Sequence, residues 1–236
     1  MKDKIIEQLK GSQICFQDKQ VDQLLVFMDQ ILDWNEKVNL TAIKDKDEFI
    51  IKHFVDSLIF QHFLKTTLEG KLIDVGTGGG FPGVPLKIMN PGLEVTLLDS
   101  LNKRINILTT ICKALSLDGI YPLHGRAEEV GQLSTHREQY DFAISRAVAP
   151  LNVLAEYCLP FVKVGGFFIA LKGESIDEEL NSSKKAVTLL GGELLEPIEY
   201  TIPHTDYKRT LIIIRKLKNT PKNYPRKPGK PSKSPL

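Results

Sequence analysis

The stretch LIDVGTGGGFPG, from Leu72 to Gly83, places five glycines and a proline directly after a short apolar run that contains an aspartate. Glycine loses more conformational freedom on folding than any other residue, so a glycine cluster is costly wherever order is needed. Such a cluster is typical of a turn at which another molecule approaches the main chain more closely than a Cβ atom would allow. The stretch therefore predicts a buried strand that ends in a ligand-binding turn.

Short apolar runs alternate with helix-forming segments from about Gly70 onwards. The runs are KLIDV, LEVTLLD, FAISRA and FFIALK. Strands that alternate with helices indicate a parallel sheet with helices on both faces. After Lys172 come one more helical segment and two apolar runs joined by PHTDYK, a hairpin-like pattern that makes the last strand antiparallel. We therefore predict an α/β fold with a mostly parallel, seven-stranded sheet.

Two further segments flank this sheet domain, which we expect to span residues 67–217. The preceding residues place apolar side chains at helical spacing, as in DQLLVFMDQILDW, and predict a helical cap over residues 1–66. Residues 218–236 hold five of the thirteen prolines and no acidic side chain. Because this tail has too few apolar side chains to offset the entropy cost of ordering, we expect it to be disordered when free.

Composition and charge restrict the class of protein. The chain of 236 residues is 42% hydrophobic, and no apolar run reaches the ~18 residues that a membrane span needs. Its three scattered cysteines fit reduced thiols, and we expect a cytoplasmic monomer. Ten Lys or Arg and no acid occur from Tyr207 onwards, whereas the first 206 residues carry a net charge of −8. A basic tail on an acidic body favours a polyanionic partner.

The glycine-rich turn matches a dinucleotide-binding fingerprint only in part. Gly76 and Gly78 supply the first two glycines of G-x-G-x-x-G, but Phe81 occupies the third position. Pro82 and Pro85 remove two amide donors from the helix start that would bind a diphosphate. These departures disfavour a nicotinamide oxidoreductase.

S-adenosylmethionine fits the turn better because it carries no phosphate. Asp99 ends the next strand, where a carboxylate is placed to accept hydrogen bonds from ribose hydroxyls. Asp74 is placed to orient water or the loop near the positive end of the ligand. Together with Gly76 and Gly78, these acids form a pattern similar to that of Rossmann-like class I methyltransferases. A glycine-rich turn without a ligand is the competing interpretation.

More of the chain resembles one narrower family. The segments that carry the resemblance are, in order, NLTAI, HFVDSL, DVGTGGGFPGVPLKI, TLLDSLNKRINIL, GRAEE, YDFAISRAVAPL and FFIALKG. Together they resemble the RsmG family, also called glucose-inhibited division protein B. The resemblance covers about Trp34 to Gly173. It implies a bacterial enzyme that methylates the N7 atom of a guanine in 16S rRNA of the small ribosomal subunit.

The resemblance also implies a set of cofactor contacts. These are Gly76 and Phe81 in the turn, Ala127 and Glu128 in GRAEE, and Arg146 in SRAVAPL. As a fixed cation, Arg146 suits either the methionine carboxylate of the cofactor or an rRNA phosphate. Glu128 is equally well explained as a solvated acid at a helix start.

The implied reaction needs no general base, because guanine N7 is a lone pair that carries no proton. Positioning of the two reactants then supplies most of the rate enhancement, and we assign no catalytic side chain. None of the five histidines stands at metal-ligand spacing from another His or Cys, so we predict no metal site. His53 and Asp56 lie one helical turn apart, which is consistent with a packed helix face or with a role in shaping the pocket.

An acidic body needs local basic patches to hold RNA. The candidates are Lys103 and Arg104 after the second strand, Lys172 at the end of the fifth, and Arg226 and Lys227 in the tail. A tail that only increases solubility is the alternative for the last two. A small-molecule methyltransferase and a non-catalytic RNA-binding module are the competing functions.

Overall fold

The computed structural model describes residues 1–174 and 176–236, and one sheet organises them. Its strands are β1 (Lys71–Val75), β2 (Glu94–Asp99), β3 (Ile120–His124), β4 (Tyr140–Arg146), β5 (Val162–Lys172), β6 (Gly192–Leu194), β7 (Ile198–Thr201) and β8 (Lys208–Lys216). The strand order is β3-β2-β1-β4-β5-β8-β6, and β7 also pairs with β8. Strands β1 to β5 are parallel, and β8 runs antiparallel to β5. The predicted fold class is thereby confirmed.

The sheet has seven positions although it contains eight strand segments. β6 pairs with residues 214–216 of β8, and β7 pairs with residues 208–211 of the same strand. The two short segments therefore lie end to end along one edge. This pairing explains the hairpin-like sequence after Lys172. Its first apolar run forms β6 and β7, and its second forms β8, which pairs antiparallel with both.

Helices cover both faces of the sheet. They are α1 (Lys2–Gly11), α2 (Asp18–Asn35), α3 (Lys46–Phe49), a π-helix (Ile50–Val55), α4 (Asp56–Leu58), a 3₁₀ helix (Ile59–Phe63), α5 (Gly83–Met89), α6 (Asn102–Ala114), α7 (Ala127–Val130), α8 (Leu151–Cys158), a second 3₁₀ helix (Leu159–Phe161), α9 (Asp177–Leu189) and α10 (Lys230–Lys233). Among the residues that the structure describes, no helix is long and apolar enough to cross a membrane.

Alternating side chains of β1 divide the interior into two apolar cores. Leu72 lies in the core that contains Phe27 of α2 and Phe54 of the π-helix. Its neighbour Ile73 points to the other face, into the core formed with α8 and α9. The N-terminal helices thus share one core with the sheet. The boundary between residues 1–66 and 67–217 stays a prediction.

Residues 218–236, here called the C-terminal strap, differ from the disordered tail that the composition predicts. The Arg226 guanidinium pairs with the fully buried Glu156 of α8, and Pro231 is buried. The composition gave no sign of this docking, because its partners, such as Glu156 and Glu128, are side chains far away in the sequence. Prolines also lower the entropy that the strap loses when it becomes ordered.

Candidate functional site

Asp74 holds the glycine-rich turn from beneath. Its side chain is fully buried, and Oδ2 accepts hydrogen bonds from Thr77 Oγ1 at 2.7 Å and from the Gly83 amide at 2.9 Å. Burial raises the pKa of Asp74 to about 6, and the two hydrogen bonds oppose that rise. The sequence suggested that Asp74 orients water or the loop near the ligand, and in the structure it lies under the turn and supports it.

The turn itself uses the left-handed backbone region that favours glycine. Gly76 and Gly78 have φ values of +76° and +58°. A Cβ atom on Gly76 would lie 2.6 Å from Val148 Cγ2, so a side chain there collides with the loop after β4. A Cβ atom on Gly78 would have no neighbour nearer than the Gly76 oxygen at 4.0 Å. The space beside Gly78 is therefore open to a ligand.

Asp99 at the end of β2 is tied to the same turn. Its Oδ2 accepts a hydrogen bond from the Gly78 amide at 2.9 Å, and its Oδ1 accepts one from the Leu101 amide at 2.9 Å. Arg104 Nη1 lies 3.5 Å from Oδ2. These contacts fix the carboxylate at the carboxyl end of the strand, where its remaining lone pairs face the crevice.

A crevice of about 650 Å³ opens above the carboxyl ends of β1, β2 and β4. It is lined by Leu40–Ile43, His53, Gly76–Gly79, Phe81, Asp99–Leu101, Arg104 and Arg146–Val148. Of the predicted cofactor contacts, Gly76, Gly78, Phe81, Asp99 and Arg146 meet around this one space. This is the edge at which open α/β sheets bind ligands.

Asp56 positions Arg146 in the crevice wall. Arg146 Nη1 donates to Asp56 Oδ2 at 3.1 Å and to the Lys52 carbonyl at 3.0 Å. Asp56 Oδ1 accepts a second cationic hydrogen bond, from Arg209 Nε at 2.7 Å. One carboxylate in the N-terminal helices therefore binds an arginine from β4 and another from β8. Sequence reasoning missed Arg209, since no local pattern marks a partner 153 residues away.

His53 completes this wall as a neutral side chain. Its ring stacks on Phe81, with centroids 4.1 Å apart and planes 10° apart. Burial, together with the positive charges of Arg146 and Lys52, lowers the pKa of His53 to about 3. Arg146 Nη2 lies 3.1 Å from Nδ1, and a guanidinium only donates, so Nδ1 accepts. Nε2 then carries the proton and donates to Thr41 Oγ1 at 2.7 Å.

Two residues that the family resemblance assigns to the cofactor lie outside the crevice lining. Ala127 and Glu128 begin α7, which follows β3. Glu128 is buried, and its Oε1 accepts a hydrogen bond from the Gly229 amide of the C-terminal strap at 2.9 Å. Its carboxylate is therefore directed to the strap and is not a solvated acid.

Lys172 and Arg226, two of the predicted RNA contacts, are bound within the protein. Lys172 Nζ donates to the Ala149 carbonyl at 2.7 Å and pairs with Glu179. Arg226 forms the ion pair with Glu156. Both side chains therefore hold parts of the protein together, and their contact with RNA stays a prediction.

The remaining predicted RNA contacts stand on the surface. Lys103 and Lys227 are exposed, and Arg104 is half-buried at the mouth of the crevice. These three cations stay candidates. Within residues 1–174 and 176–236, no group of three or more His, Cys, Asp or Glu could hold a metal ion.

Known proteins with similar sequences show the family. The model of the family described as rRNA small subunit methyltransferase G matches residues 20–206. The chain belongs to this family. It is 56% identical over 221 residues to the ribosomal RNA small subunit methyltransferase G of Alkaliphilus metalliredigens. The aligned region covers 93% of this chain and 92% of that protein. The protein of that name from Alkaliphilus oremlandii is 53% identical and covers 100% of this chain and 99% of its own length.

Solved structures show a similar fold at low sequence identity. The structure of TYW2 from M. jannaschii, in complex with AdoMet, has a TM-score of 0.53 at 14% identity and covers 73% of this chain and 77% of that one. The YcgJ protein from Bacillus subtilis also has a TM-score of 0.53, at 12% identity, and covers 71% of this chain and 100% of that one. Identities this low support the fold alone.

We expect Gly76→Val to remove binding of S-adenosylhomocysteine, the demethylated form of the expected cofactor, while the fold survives. The new side chain meets Val148 and needs a strained positive φ, which costs about 1–3 kcal/mol in the bound geometry. Isothermal titration calorimetry measures the affinity, and circular dichroism checks the fold. Gly92→Val is the matched control, because a Cβ on Gly92 meets no atom within 4 Å. Equal affinity in the two variants would show that the turn is not the site.

The low pKa of His53 makes the protein less stable in acid. The unfolded chain binds a proton on His53 below about pH 6.5, whereas the folded chain does so only near 3, so stability falls as pH drops between these values. Between pH 7 and pH 4.5, the free energy of unfolding of the wild type should fall by about 2–3 kcal/mol more than that of His53→Gln. Urea unfolding at both pH values measures the loss, with His124→Gln on the exposed end of β3 as control. The interpretation fails if His53→Gln and the wild type lose stability in parallel.

Proposed function

We propose that this chain transfers a methyl group from S-adenosylmethionine to N7 of a guanine in 16S rRNA of the small ribosomal subunit. The observation that carries the proposal is that the main-chain amides at the start of α5 are already hydrogen-bonded within the protein or are missing. Gly83 N–H donates to Asp74, Val84 N–H donates to the Gly80 carbonyl, and Pro85 has no N–H. A diphosphate would therefore find no free donor at this helix start, whereas a phosphate-free sulfonium nucleoside needs none.

The crevice residues fit the parts of that nucleoside. Asp99 offers a carboxylate for the ribose hydroxyls, and the open side of Gly78 lets the ligand approach the main chain. Arg146 offers a fixed cation for the methionine carboxylate, or for a phosphate of the RNA. When bound, S-adenosylmethionine supplies a methyl group on an electrophilic sulfonium.

A second groove of about 970 Å³ adjoins the crevice and suits the RNA. The two spaces share Leu40, Thr41, Ala42 and Arg104 in their linings. The groove also carries the amides of Asn35 and Asn39 and the ammonium group of Lys44, together with Glu36 and with Lys46, whose Nζ pairs with Asp29. Amides suit base edges and ammonium groups suit phosphates, so a nucleotide placed here would face the crevice.

The side chains of the crevice act by positioning. His53 is neutral, but both of its nitrogens are occupied, one by Arg146 and the other by Thr41. It therefore stands as a support for Arg146 and Phe81 rather than as a base. This agrees with an acceptor atom that has no proton to lose. Orientation of well-placed reactants can supply about 7–11 kcal/mol of the barrier reduction.

A transfer assay tests the proposal. The protein is incubated with radiolabelled S-adenosylmethionine and small ribosomal subunits from a strain that lacks the enzyme, and N7-methylguanine is located by chain cleavage at the modified base. We expect label at one guanine of 16S rRNA and none with Gly76→Val. Label on another atom would contradict the guanine-N7 assignment. Cofactor binding without any transfer to rRNA would favour a non-catalytic RNA-binding module, and transfer only to small molecules would favour the small-molecule enzyme.

A further inference from the structure

The C-terminal strap binds to two helices beside the crevice. Arg226 pairs with Glu156 of α8, and the Gly229 amide donates to Glu128 of α7. Further hydrogen bonds join the strap to the body of the protein, between Gln132 and the Pro225 carbonyl, Arg137 and the Tyr224 carbonyl, and Tyr157 and Ser232. The strap is therefore anchored along its length rather than at one point.

The ion pair between Arg226 and Glu156 joins the strap to α8 through both carboxylate oxygens. Arg226 Nη2 lies 2.6 Å from Glu156 Oε2, and Nε and the main-chain amide of Arg226 lie 2.9 Å and 2.7 Å from Oε1. Glu156 is fully buried. A buried carboxylate that loses its partner is strongly unfavourable, so Glu156 favours the docked strap.

Helix α7 depends on such contacts because it is a single turn. A helix of four residues forms too few internal hydrogen bonds to fix its own position. The strap contacts it through Glu128, and Pro225 packs against Gly131 at its end, where a Cβ atom on Gly131 would lie 3.1 Å from Pro225 Cγ. The strap thus contacts α7 near its start and at its end, while Val130 packs the same helix into the second apolar core.

The start of α7 is close to the residue that we assign to the ribose. His124, the last residue of β3, pairs in register with Asp99, and the Gly125 amide donates to the Asp99 carbonyl at 3.1 Å. Ala127 follows two residues later. Strand β2, which carries Asp99, lies between β1 and β3. The glycine-rich turn after β1 and helix α7 after β3 therefore lie on opposite sides of Asp99, so a base attached to a ribose at Asp99 can reach α7.

We propose that the C-terminal strap holds α7 in the position that receives the adenine end of the methyl donor, so that strap docking and donor binding are coupled. Arg226 acts as a positioning residue through Glu156, and the Gly229 amide acts through Glu128. The inference rests on the proposed function, since it takes the donor to be an adenine nucleoside. Coupling between two sites is reciprocal, so the donor must also stabilise the docked strap.

The reciprocal effect is measurable in the unmodified chain. Hydrogen exchange of peptides covering residues 224–236 is followed with and without S-adenosylhomocysteine, in the absence of RNA. We expect the ligand to slow exchange in the strap as well as in α7. Unchanged exchange in the strap, with the ligand bound, would overturn the proposal without affecting the proposed function.

A pair of variants separates positioning from a general loss of charge. Arg226→Gln removes the ion pair, whereas Lys227→Gln removes the same charge from an exposed side chain next to it. We expect Arg226→Gln to weaken the binding of S-adenosylhomocysteine by about tenfold. Lys227→Gln should leave the affinity for this ligand within about twofold of the wild-type value. Should Arg226→Gln fail to fold, the exchange experiment decides.

Two other outcomes count against the proposal. If Arg226→Gln weakens rRNA binding but leaves the S-adenosylhomocysteine affinity unchanged, the strap is an RNA contact and the positioning role is wrong. If the wild type does not bind S-adenosylhomocysteine at all, the proposed function fails and the coupling fails with it.

Discussion

The buried carboxylate of Asp74 is the constraint on which the rest of the site depends. By accepting hydrogen bonds from Thr77 and Gly83, it fixes both ends of the glycine-rich turn to the last part of β1. The fixed turn then presents the Gly78 amide to Asp99, which joins the ends of β1 and β2. The hydrogen bond from Gly83 to Asp74 also occupies the Gly83 amide, so the start of α5 has no free donor for a phosphate. One buried acid thus sets the shape of the crevice and, in the function that we propose, favours a ligand without a phosphate.

A second carboxylate ties the N-terminal helices to this crevice. Asp56 binds Arg146 from β4 and Arg209 from β8, and His53 on the same helical segment supports Arg146 and Phe81. The crevice wall is therefore built from both the N-terminal helices and the sheet. The crevice that we propose for the methyl donor and the groove that we propose for the RNA share residues 40–42 in their linings.

The fold and much of the crevice follow from local patterns in the sequence. Alternating apolar runs predicted the parallel sheet, and the glycine turn with Asp99 predicted where the crevice opens. The same reasoning named Asp74 as a cofactor contact or a support for the loop, and Lys172 as an RNA contact, because a sequence shows which residues end a strand but not which way their side chains face. In the structure Asp74 lies beneath the turn, and Lys172 binds the Ala149 carbonyl.

Partners that are distant in the sequence could not be predicted in this way. Arg226 lies 70 residues from Glu156, and Gly229 lies 101 residues from Glu128. Composition alone indicated a disordered tail, because it does not show the partners elsewhere in the chain: the carboxylates of Glu128 and Glu156, and the second apolar core, against which Tyr224 and Leu236 pack. Such contacts appear only when the sheet has brought α7 and α8 to the same side of the molecule.

The most direct measurement is a crystal structure of the protein grown with S-adenosylhomocysteine. We expect the ribose hydroxyls to lie within hydrogen-bond distance of the Asp99 carboxylate and the nucleoside to lie against the main chain at Gly78. Asp74 should keep its bonds to Thr77 and Gly83. An empty crevice, or a ligand bound elsewhere with Asp74 released from the turn, would contradict it.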